Sequence, residues 1–448
     1  MAAERPIPLS ASEADGLFAD LKCEDGLALA VSGGADSLGL ALLVAQWRAR
    51  NALPVRLHAL VVDHGLRAGS DMEAGHASAN LARLGIASSV LTLSGLPRQN
   101  LHAAARLARY DAMSGWMARH GFSTLLTAHH RDDQVETVVM RMRRSETAGI
   151  AGIPRRGWWA DVRVVRPLLD VPRARIAACL AGTGIEPVRD PSNADMRFER
   201  ARVRHDLARG ASTMSIPRLL ARAEAARAQE SELDRQAAEL AAQAVELLPM
   251  GCAIVDLGAY AGAQDGIRRW LLRSLVRDLG GRSVPASRDK LLRLDGLLAD
   301  CGRNTVGQGF AGATLGGVRF VPAIGKAGRG RVVVSREAGR GAAPDLALSA
   351  RLVALFDRRF RVSCGADVEP GLRIALAGER YRRFAADHAE SDGRVLPAAA
   401  FCGVPLLFSG AEPVAAAWAM DGERLGVLAR GLGFRLGENR IACQALTG

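Results

Sequence analysis

The sequence predicts an α/β protein: a doubly wound, mostly parallel sheet at the N-terminal end, then a helical domain and a small α+β domain. Three observations support this fold class. Apolar strand patterns alternate with helical patterns over the first third of the chain, and three of the strand patterns end in polar clusters. After Leu207 the alternation stops and long helical patterns replace it.

The first strand pattern, residues 27–31, leads into a glycine-rich turn with two hydroxyl side chains and then into a helical pattern over residues 38–47. The turn consists of Ser32, Gly33, Gly34, Ala35, Asp36 and Ser37. Two adjacent glycines let the backbone close around an anion, and the first N–H groups of the helix point toward it. The turn therefore predicts a phosphate cradle, although by itself it also fits a capped helix after a tight turn.

No lysine follows the turn, so it is not the Gly-Lys-Ser/Thr loop of the common nucleoside triphosphatases. A triphosphate bound without that lysine needs another source of positive charge. We therefore expect a divalent cation, Mg²⁺, that the Asp36 carboxylate helps to hold.

Two further strand patterns have the same arrangement. The strand patterns cover residues 55–63 and 123–128, the polar clusters after them 64–67 and 129–137, and the intervening helical patterns 71–84 and 101–120. This alternation predicts parallel strands with right-handed crossovers. Because ligands of such sheets bind beyond the carboxyl ends of the strands, we expect the three clusters to converge in space.

The cluster at residues 129–137 allows two interpretations. Asp133 and Glu136 have the spacing of a helix capping box, and the helix dipole favours acids there. That interpretation leaves two histidines unexplained. His129 with Asp132, or Asp132 with Glu136 one turn later, has the spacing to hold a metal or position an amine. We favour a site, and one residue can serve both purposes.

Several motifs, taken together, resemble one known family. They are SGGADS (32–37), VDHGLR (62–67), Ala105-Arg106 followed by Arg109-Tyr110, and AHHRDDQVET (128–137). Their order and spacing resemble the N-type ATP pyrophosphatase, or PP-loop, family, which has a Rossmann-like fold. RPLL (166–169), DPSN (190–193) and the pair Arg200 and Arg204 narrow the resemblance to the tRNA(Ile)-lysidine synthetase family. The sequence departs from the family pattern at His102, Ser145 and Ala201.

The resemblance implies an ATP-dependent carbon–nitrogen ligase. It would join L-lysine to C2 of the wobble cytidine in the CAU anticodon of tRNA(Ile), through an adenylated cytidine, releasing pyrophosphate and AMP. ATP and Mg²⁺ would bind at the cradle. The residues expected to be catalytic or to bind lysine are Arg106, His129, Asp132, Asp133 and Glu136, and those expected to bind tRNA are Arg200, Arg204, Arg269 and Arg273. The last two lie on a helical pattern that also fits a solvated face.

The rest of the chain fits the domain plan of that family. We expect a catalytic domain at residues 1–210 and tRNA-binding domains at 211–338 and 345–448. The supporting patterns are a long helix at 216–248, two helices within 266–300 separated by a turn at 280–285, a β-like stretch at 305–334 with hairpin alternation at 314–321, a linker at 339–344 and a helix near 381–389.

Composition agrees with these expectations. The formal net charge is +12, which suits a nucleic-acid partner, although only three of the 59 basic residues are lysines and the arginine excess also fits a GC-rich coding bias. The seven cysteines have no Cys-x-x-Cys spacing, which favours a reducing cytoplasm and offers no zinc site. No apolar run is long enough for a membrane span. Oligomeric state is left open, with a homodimer as one option.

Three other functions fit parts of the sequence. A PP-loop tRNA thiolase would share the ATP chemistry but needs reactive cysteines. A PP-loop amide-forming synthetase would need a source of ammonia. A non-catalytic nucleotide-binding regulator would keep the glycine-rich loop but would not use the cluster at residues 129–137.

Overall fold

A computed structural model describes the chain at residues 6–65, 69–94, 101–144, 150–188, 196–197, 199–210, 214–281, 286–303, 310–324, 328–337, 344–380, 396–417, 427–432, 434–436 and 439–441. The chain forms two compact units, Met1–Glu230 and Ser231–Gly448. Each unit has its own sheet and its own hydrophobic core.

The first unit is built on a six-stranded sheet. Its strands are β1 (Gly26–Val31), β2 (Arg56–Asp63), β3 (Ala87–Thr92), β4 (Thr124–Leu126), β5 (Arg156–Trp159) and β6 (Val162–Val165). They lie in the order β3-β2-β1-β4-β6-β5, and all neighbours are parallel except the antiparallel pair of β5 and β6. The chain order reverses at β1, the switch point where doubly wound sheets bind ligands.

Helices cover both faces of this sheet. The helices that begin in the first unit are α1 (Ala11–Leu17), α2 (Ala35–Arg50), α3 (Ser70–Arg83), α4 (Leu101–His120), α5 (Arg131–Arg144), α6 (Arg173–Leu180), α7 (Glu199–Ala208) and α8 (Ile216–Ala244), together with a 3₁₀ turn at Ala19–Leu21. The last of them, α8, ends in the second unit. Leu27 and Leu29 of β1 pack in one core with α2 and α6, whereas Ala28 packs in another with Tyr110 and Trp116 of α4. This alternation along β1 is what a strand buried on both faces requires.

The strands and helices predicted around the three polar clusters are confirmed. Three strands of the sheet were not predicted. β3 is an edge strand of mostly small and polar residues, and β5 and β6 are four-residue strands interrupted by arginine and glycine. β3 and β5 lie at the edges of the sheet, where only part of a strand's surface is buried, and the interior strand β6 is only four residues long, so all three have weak sequence patterns.

The second unit contains a five-stranded antiparallel sheet. Its strands are β7 (Val245–Leu248), β8 (Cys252–Asp256), β9 (Ala313–Leu315), β10 (Val318–Pro322) and β11 (Arg331–Arg336), in the order β7-β8-β11-β10-β9. The helices that accompany it are α9 (Leu257–Gly262), α10 (Asp265–Leu279) and α11 (Arg288–Arg303). The predicted hairpin at 314–321 corresponds to β9 and β10.

The remaining strands of this unit form smaller antiparallel sheets. They are β12 (Asp345–Ala347), β13 (Val353–Phe356), β14 (Phe360–Cys364), β15 (Leu372–Leu376), β16 (Pro405–Ser409), β17 (Glu412–Ala416), β18 (Val427–Gly431), β19 (Phe434–Leu436) and β20 (Asn439–Ile441). The sheets have the orders β12-β15-β16-β17, β13-β14-β18 and β19-β20. Short 3₁₀ helices occur at Gly378–Arg380 and Ala398–Gly403.

One predicted helix is too long. The pattern at 216–248 suggested a single helix, but α8 ends at Ala244 and the next four residues form β7. The reason is the turn that follows: Gly251 has φ +81°, and the reversal there pairs β7 with β8 as an antiparallel hairpin. The sheet contacts of Leu247 and Leu248 outweigh their helical preference.

Some predictions lie outside the described residues. They are Arg67, Ser145, the motif at 190–193, most of the linker at 339–344 and the helix near 381–389, and the side chain of His102 is also outside them. The boundaries of the three predicted domains stay a prediction. Within the described part of the chain, no helix is long and apolar enough to cross a membrane.

Candidate functional site

The predicted phosphate cradle lies between β1 and α2. The backbone N–H of Ser32 donates to the Ser37 hydroxyl oxygen at 3.2 Å, and that hydroxyl donates to the Gly34 carbonyl at 3.0 Å. Gly34 immediately precedes α2 and has no side chain with which to cap it. The first N–H groups of the helix are therefore left for a ligand.

Gly33 holds the cradle against two other segments. Its φ is +79°, and a Cβ there would lie 3.2 Å from the Ala77 side chain and 3.4 Å from that of Val188. The Gly33 carbonyl accepts a hydrogen bond from the Val188 N–H at 2.9 Å. The segment that carries Val188 is held in turn by buried Asn80, which donates to the Glu186 carbonyl at 3.0 Å. Only glycine fits this position without strain.

Asp36 lies in the first turn of α2 with a basic side chain facing each carboxylate oxygen. Arg173 Nε lies 3.1 Å from Oδ1, and His130 Nε2 lies 3.6 Å from Oδ2. Burial disfavours the ionised carboxyl, but His130 and Arg173 outweigh burial and hold the pKa of Asp36 below its usual range. Asp36 is therefore a carboxylate at neutral pH.

A cap at the start of α5 orders the second polar cluster. The His130 N–H donates to Asp133 Oδ2 at 3.1 Å, and the Asp133 N–H donates to His130 Nδ1 at 3.3 Å. A capping box is present, as one interpretation of the sequence held, but it begins at His130 rather than at Asp133. Asp132 serves the next helix: its carboxylate accepts the Arg173 backbone N–H at 2.9 Å.

Glu136 is a buried acid with two arginine partners. Its side chain is 2% exposed. Arg204 makes two contacts with it, Nε to Oε1 at 2.7 Å and Nη2 to Oε2 at 3.3 Å, and Arg200 Nε lies 3.0 Å from Oε2. Glu136, which was expected to bind lysine, is therefore ion-paired with Arg200 and Arg204, which were expected to bind tRNA. Their local charges, one carboxylate and two guanidiniums, leave a net positive site.

A cavity of about 330 Å³ brings together predicted site residues that are far apart in sequence. Those among its lining are Ser32, Asp36, Ser37, Arg106, His129, Asp133 and Arg200. Asp132, Glu136 and Arg204 are not among the lining residues. The expectation that the sequence-distant clusters converge at one edge of the sheet is confirmed by this lining.

His129 is uncharged in this cavity. Burial is the main cause and the charges of Arg166, Arg106 and Arg200 add to it, so that its pKa falls from 6.5 to about 3. Its Nδ1 lies 2.9 Å from the Thr127 hydroxyl. An imidazole of such low basicity is a poor acceptor for an amine proton. The arginines that depress the pKa of His129 also make this part of the cavity attractive to anions.

Sequence reasoning missed five residues of this site as contributors: His64, Arg109, His130, Arg166 and Arg173. Four of them belong to the motifs of the family resemblance, which was the available signal. Arg173 had no signal, since it is 137 positions from the Asp36 that it contacts. Arg109 Nε and His64 Nδ1 are buried atoms at the cavity with no hydrogen-bond partner in the described part of the chain.

Arg269 and Arg273, the other predicted tRNA-binding residues, lie on α10 in the second unit. Arg269 Nε is 2.9 Å from the buried carboxylate of Asp295, and its Nη2 is 2.6 Å from Asp265. The Arg273 guanidinium lies 3.9 Å from the centre of the Trp270 ring. Arg269 thus has a structural role as well as a partly exposed side chain, whereas Arg273 stacks on an aromatic face, as arginine often does.

The chain is similar in sequence to known proteins. A model of the PP-loop domain matches residues 9–211. The chain is 44% identical over 221 residues to the tRNA(Ile)-lysidine synthase of Rhodopseudomonas palustris, an alignment that covers 48% of this chain and 64% of that relative. It is 37% identical over 328 residues to the tRNA(Ile)-lysidine synthase of Bradyrhizobium diazoefficiens, covering 71% of this chain and 89% of the relative.

Among solved structures, a tRNA thiolase from Methanococcus maripaludis matches with a TM-score of 0.40 and 16% sequence identity, over 48% of this chain and 78% of that one. The extended match to the Bradyrhizobium relative covers both compact units in part. Together with the PP-loop match over the first unit, it shows that the chain belongs to the tRNA(Ile)-lysidine synthase family.

Proposed function

We propose that this chain ligates L-lysine to C2 of the wobble cytidine in the CAU anticodon of tRNA(Ile), using ATP and releasing pyrophosphate and AMP. The observation that carries the proposal is the cavity, in which a phosphate cradle and an arginine-rich wall share one space of about 330 Å³. The first is suited to a triphosphate and the second to the anionic backbone of an anticodon loop.

The first step would activate the base. The cytidine C2 oxygen attacks the α-phosphorus of ATP, pyrophosphate leaves, and the adenylated base then carries AMP as its leaving group. Ser32, Ser37 and the N–H groups at the start of α2 would bind the departing phosphates. Arg106 and Arg200, which line the same cavity, would neutralise charge that develops there.

Mg²⁺ fits the donor set at Asp36. In the described part of the chain, no three acidic, histidine or cysteine side chains are grouped to hold a metal by themselves. A single ionised carboxylate suits Mg²⁺, which usually takes its other ligands from substrate phosphates and water. The ion would supply positive charge to the triphosphate, a role that a lysine plays in other phosphate loops.

The second step would attach lysine. Its ε-amine attacks C2, AMP leaves with the C2 oxygen, and one amine proton is lost. Of the three acids predicted to hold the amine, we propose that Asp133 does so, since it alone lines the cavity. Asp132 caps α6, and Glu136 is already paired with two arginines. The low pKa of His129 argues for a neutral hydrogen-bonding role rather than for proton removal.

The tRNA would contact both predicted tRNA-binding regions. Arg200 and Arg204 would bind phosphates near the cavity, and Arg273 on α10 would bind the more distant parts of the molecule, with Arg269 beside it. We further propose a catalytic domain at residues 1–210 followed by tRNA-binding domains at 211–338 and 345–448. A cytoplasmic location fits cysteines that form no disulfide bond where they are described.

The test is a pyrophosphate-release assay with purified protein, ATP, lysine and tRNA(Ile), in which each component is omitted in turn. Release should require the tRNA, and lysine should be needed for the modified nucleoside to form, as read by mass spectrometry. Asp36→Ala should abolish release without loss of the fold. Release at the wild-type rate in that variant contradicts the role of Asp36.

A tRNA thiolase is the second candidate, because it would share the adenylation step. Among the described residues, no cysteine lines the cavity. The same assay separates the two: a thiolase would incorporate sulfur from a sulfur donor and would not respond to lysine.

A further inference from the structure

Arg173 lies beside the phosphate cradle and contacts the carboxylate of Asp36. Its Nε lies 3.1 Å from Asp36 Oδ1, and its side chain is 46% exposed. The other Asp36 oxygen faces His130 Nε2 at 3.6 Å. The carboxylate expected to help hold Mg²⁺ is therefore also engaged by a guanidinium.

Arg173 can contact Asp36 and a bound nucleotide together. A carboxylate that holds a metal ion commonly accepts hydrogen bonds from neighbouring groups as well, so the contact between Arg173 and Asp36 is compatible with Mg²⁺ at Asp36. A triphosphate in the cradle would bring several anionic oxygens beside Asp36, and a guanidinium binds phosphate oxygens through its planar donor fork.

We propose that Arg173 is a triphosphate-binding residue, whose guanidinium contacts Asp36 through Nε and would donate through its other nitrogens to the β- or γ-phosphate of ATP. This inference rests on the proposed use of ATP at the cradle. Arg173 thus offsets the charge of the half-buried Asp36 carboxylate and adds positive charge for triphosphate binding.

Two features hold Arg173 beside the cradle. Its backbone N–H is fixed by the Asp132 carboxylate at 2.9 Å, so that the start of α6 stays in place. α6 itself packs closely on α2: a Cβ at Gly39 of α2 would lie 2.4 Å from Ile176 Cγ2. The cradle helix and the helix that carries Arg173 therefore keep a fixed relation, which places the Arg173 guanidinium beside the cradle.

The test compares ATP and AMP binding to the full chain by calorimetry, with Mg²⁺ and without tRNA or lysine, so that no turnover occurs. Arg173→Ala should weaken ATP binding by about tenfold to a hundredfold, the usual range for a hydrogen bond to a charged group. AMP binding should hardly change, because AMP lacks the β- and γ-phosphates. Arg173→Lys should lose less than alanine, since it keeps the charge without the fork.

Arg175→Ala is the matched control, because Arg175 lies on the same helix but pairs with Glu13 at 2.8 Å, away from the cradle. It should leave both ligands unaffected. Unchanged or tighter ATP binding by Arg173→Ala would mean that Arg173 only neutralises Asp36, and equal losses of ATP and AMP would mean a structural defect. Either result overturns the proposal. If the alanine variant fails to fold, the ATP-to-AMP ratio of Arg173→Lys decides in the same way.

These measurements are independent of lysidine formation. A chain that binds ATP as described but modifies no tRNA would contradict the proposed function and leave the role of Arg173 intact. Normal tRNA modification by the wild type, with an unchanged ratio of ATP affinity to AMP affinity in the Arg173 variants, would support the proposed function and contradict the role of Arg173.

Discussion

A substitution at Glu136 can distinguish a structural role of this residue from a role in lysine binding. The informative change is Glu136→Gln, which keeps the shape of the side chain and removes its charge. Because Glu136 holds Arg200 and Arg204 while Asp133 lines the cavity, we expect the variant to lose stability without a selective loss of lysine binding.

The expected loss of stability follows from the burial of Glu136 and its contacts with two arginines. The Glu136 carboxylate is 2% exposed and its arginine partners are 43% and 37% exposed. Breaking a fully buried ion pair costs roughly 3–5 kcal/mol. Since water can solvate both guanidiniums after the change, and glutamine keeps one hydrogen-bond acceptor, we expect a loss of about 2 kcal/mol. For a unit of this size that lowers the melting temperature by about 4–8 °C.

The assay pairs thermal melting with the lysine dependence of the modification reaction. Glu199→Gln is the control for melting, because Glu199 makes an exposed ion pair with Arg144 and should change stability little. Asp133→Asn is the comparison for lysine: it should raise the lysine KM far more than the ATP KM. If Glu136→Gln melts like the wild type and raises the lysine KM as much as Asp133→Asn does, the reasoning about Glu136 is wrong.

Three further outcomes are expected. The pKa of His129 is about 3 in the folded protein against 6.5 in the unfolded chain, so protons bind the unfolded state more tightly and the free energy of unfolding falls as pH drops below 6.5. Urea unfolding should show a loss of about 2 kcal/mol between pH 8 and pH 5, and this loss should be absent in His129→Gln. Gly33→Ala should lower the free energy of unfolding by about 1–2 kcal/mol, because this position has a left-handed φ, and it should weaken ATP binding. Unaltered melting and ATP affinity in this variant would mean that the backbone of the cradle does not require glycine. Arg273→Ala should reduce the slope of log binding constant against log salt concentration for tRNA by about one, without changing ATP affinity. Arg269→Ala should reduce this slope and also lower the melting temperature. An unchanged slope in Arg273→Ala would mean that Arg273 does not contact the tRNA.

Local patterns in the sequence predicted three of the six strands, β1, β2 and β4, and the edge of the sheet at which the site lies. Strand and helix patterns follow local periodicity, and the turn from Ser32 to Ser37 needs no distant residue to define it. Parallel topology then required that polar clusters after β1, β2 and β4 meet at one edge. The lining of the cavity by residues such as Asp36, His129 and Asp133 follows from these rules.

The pairing of the charged side chains, in contrast, depends on the tertiary fold. Glu136 meets Arg204 across 68 positions, and Asp36 meets Arg173 across 137. Such ion pairs leave no periodic signal, because a charged residue has the same local pattern whether it faces solvent, a ligand or another chain segment. The end of α8 was not predicted for the same reason. Residues 245–248 have a local pattern that fits a helix, and they form a strand because they pair with β8. Long-range pairing, which no local pattern encodes, therefore set the roles of the individual residues at this site.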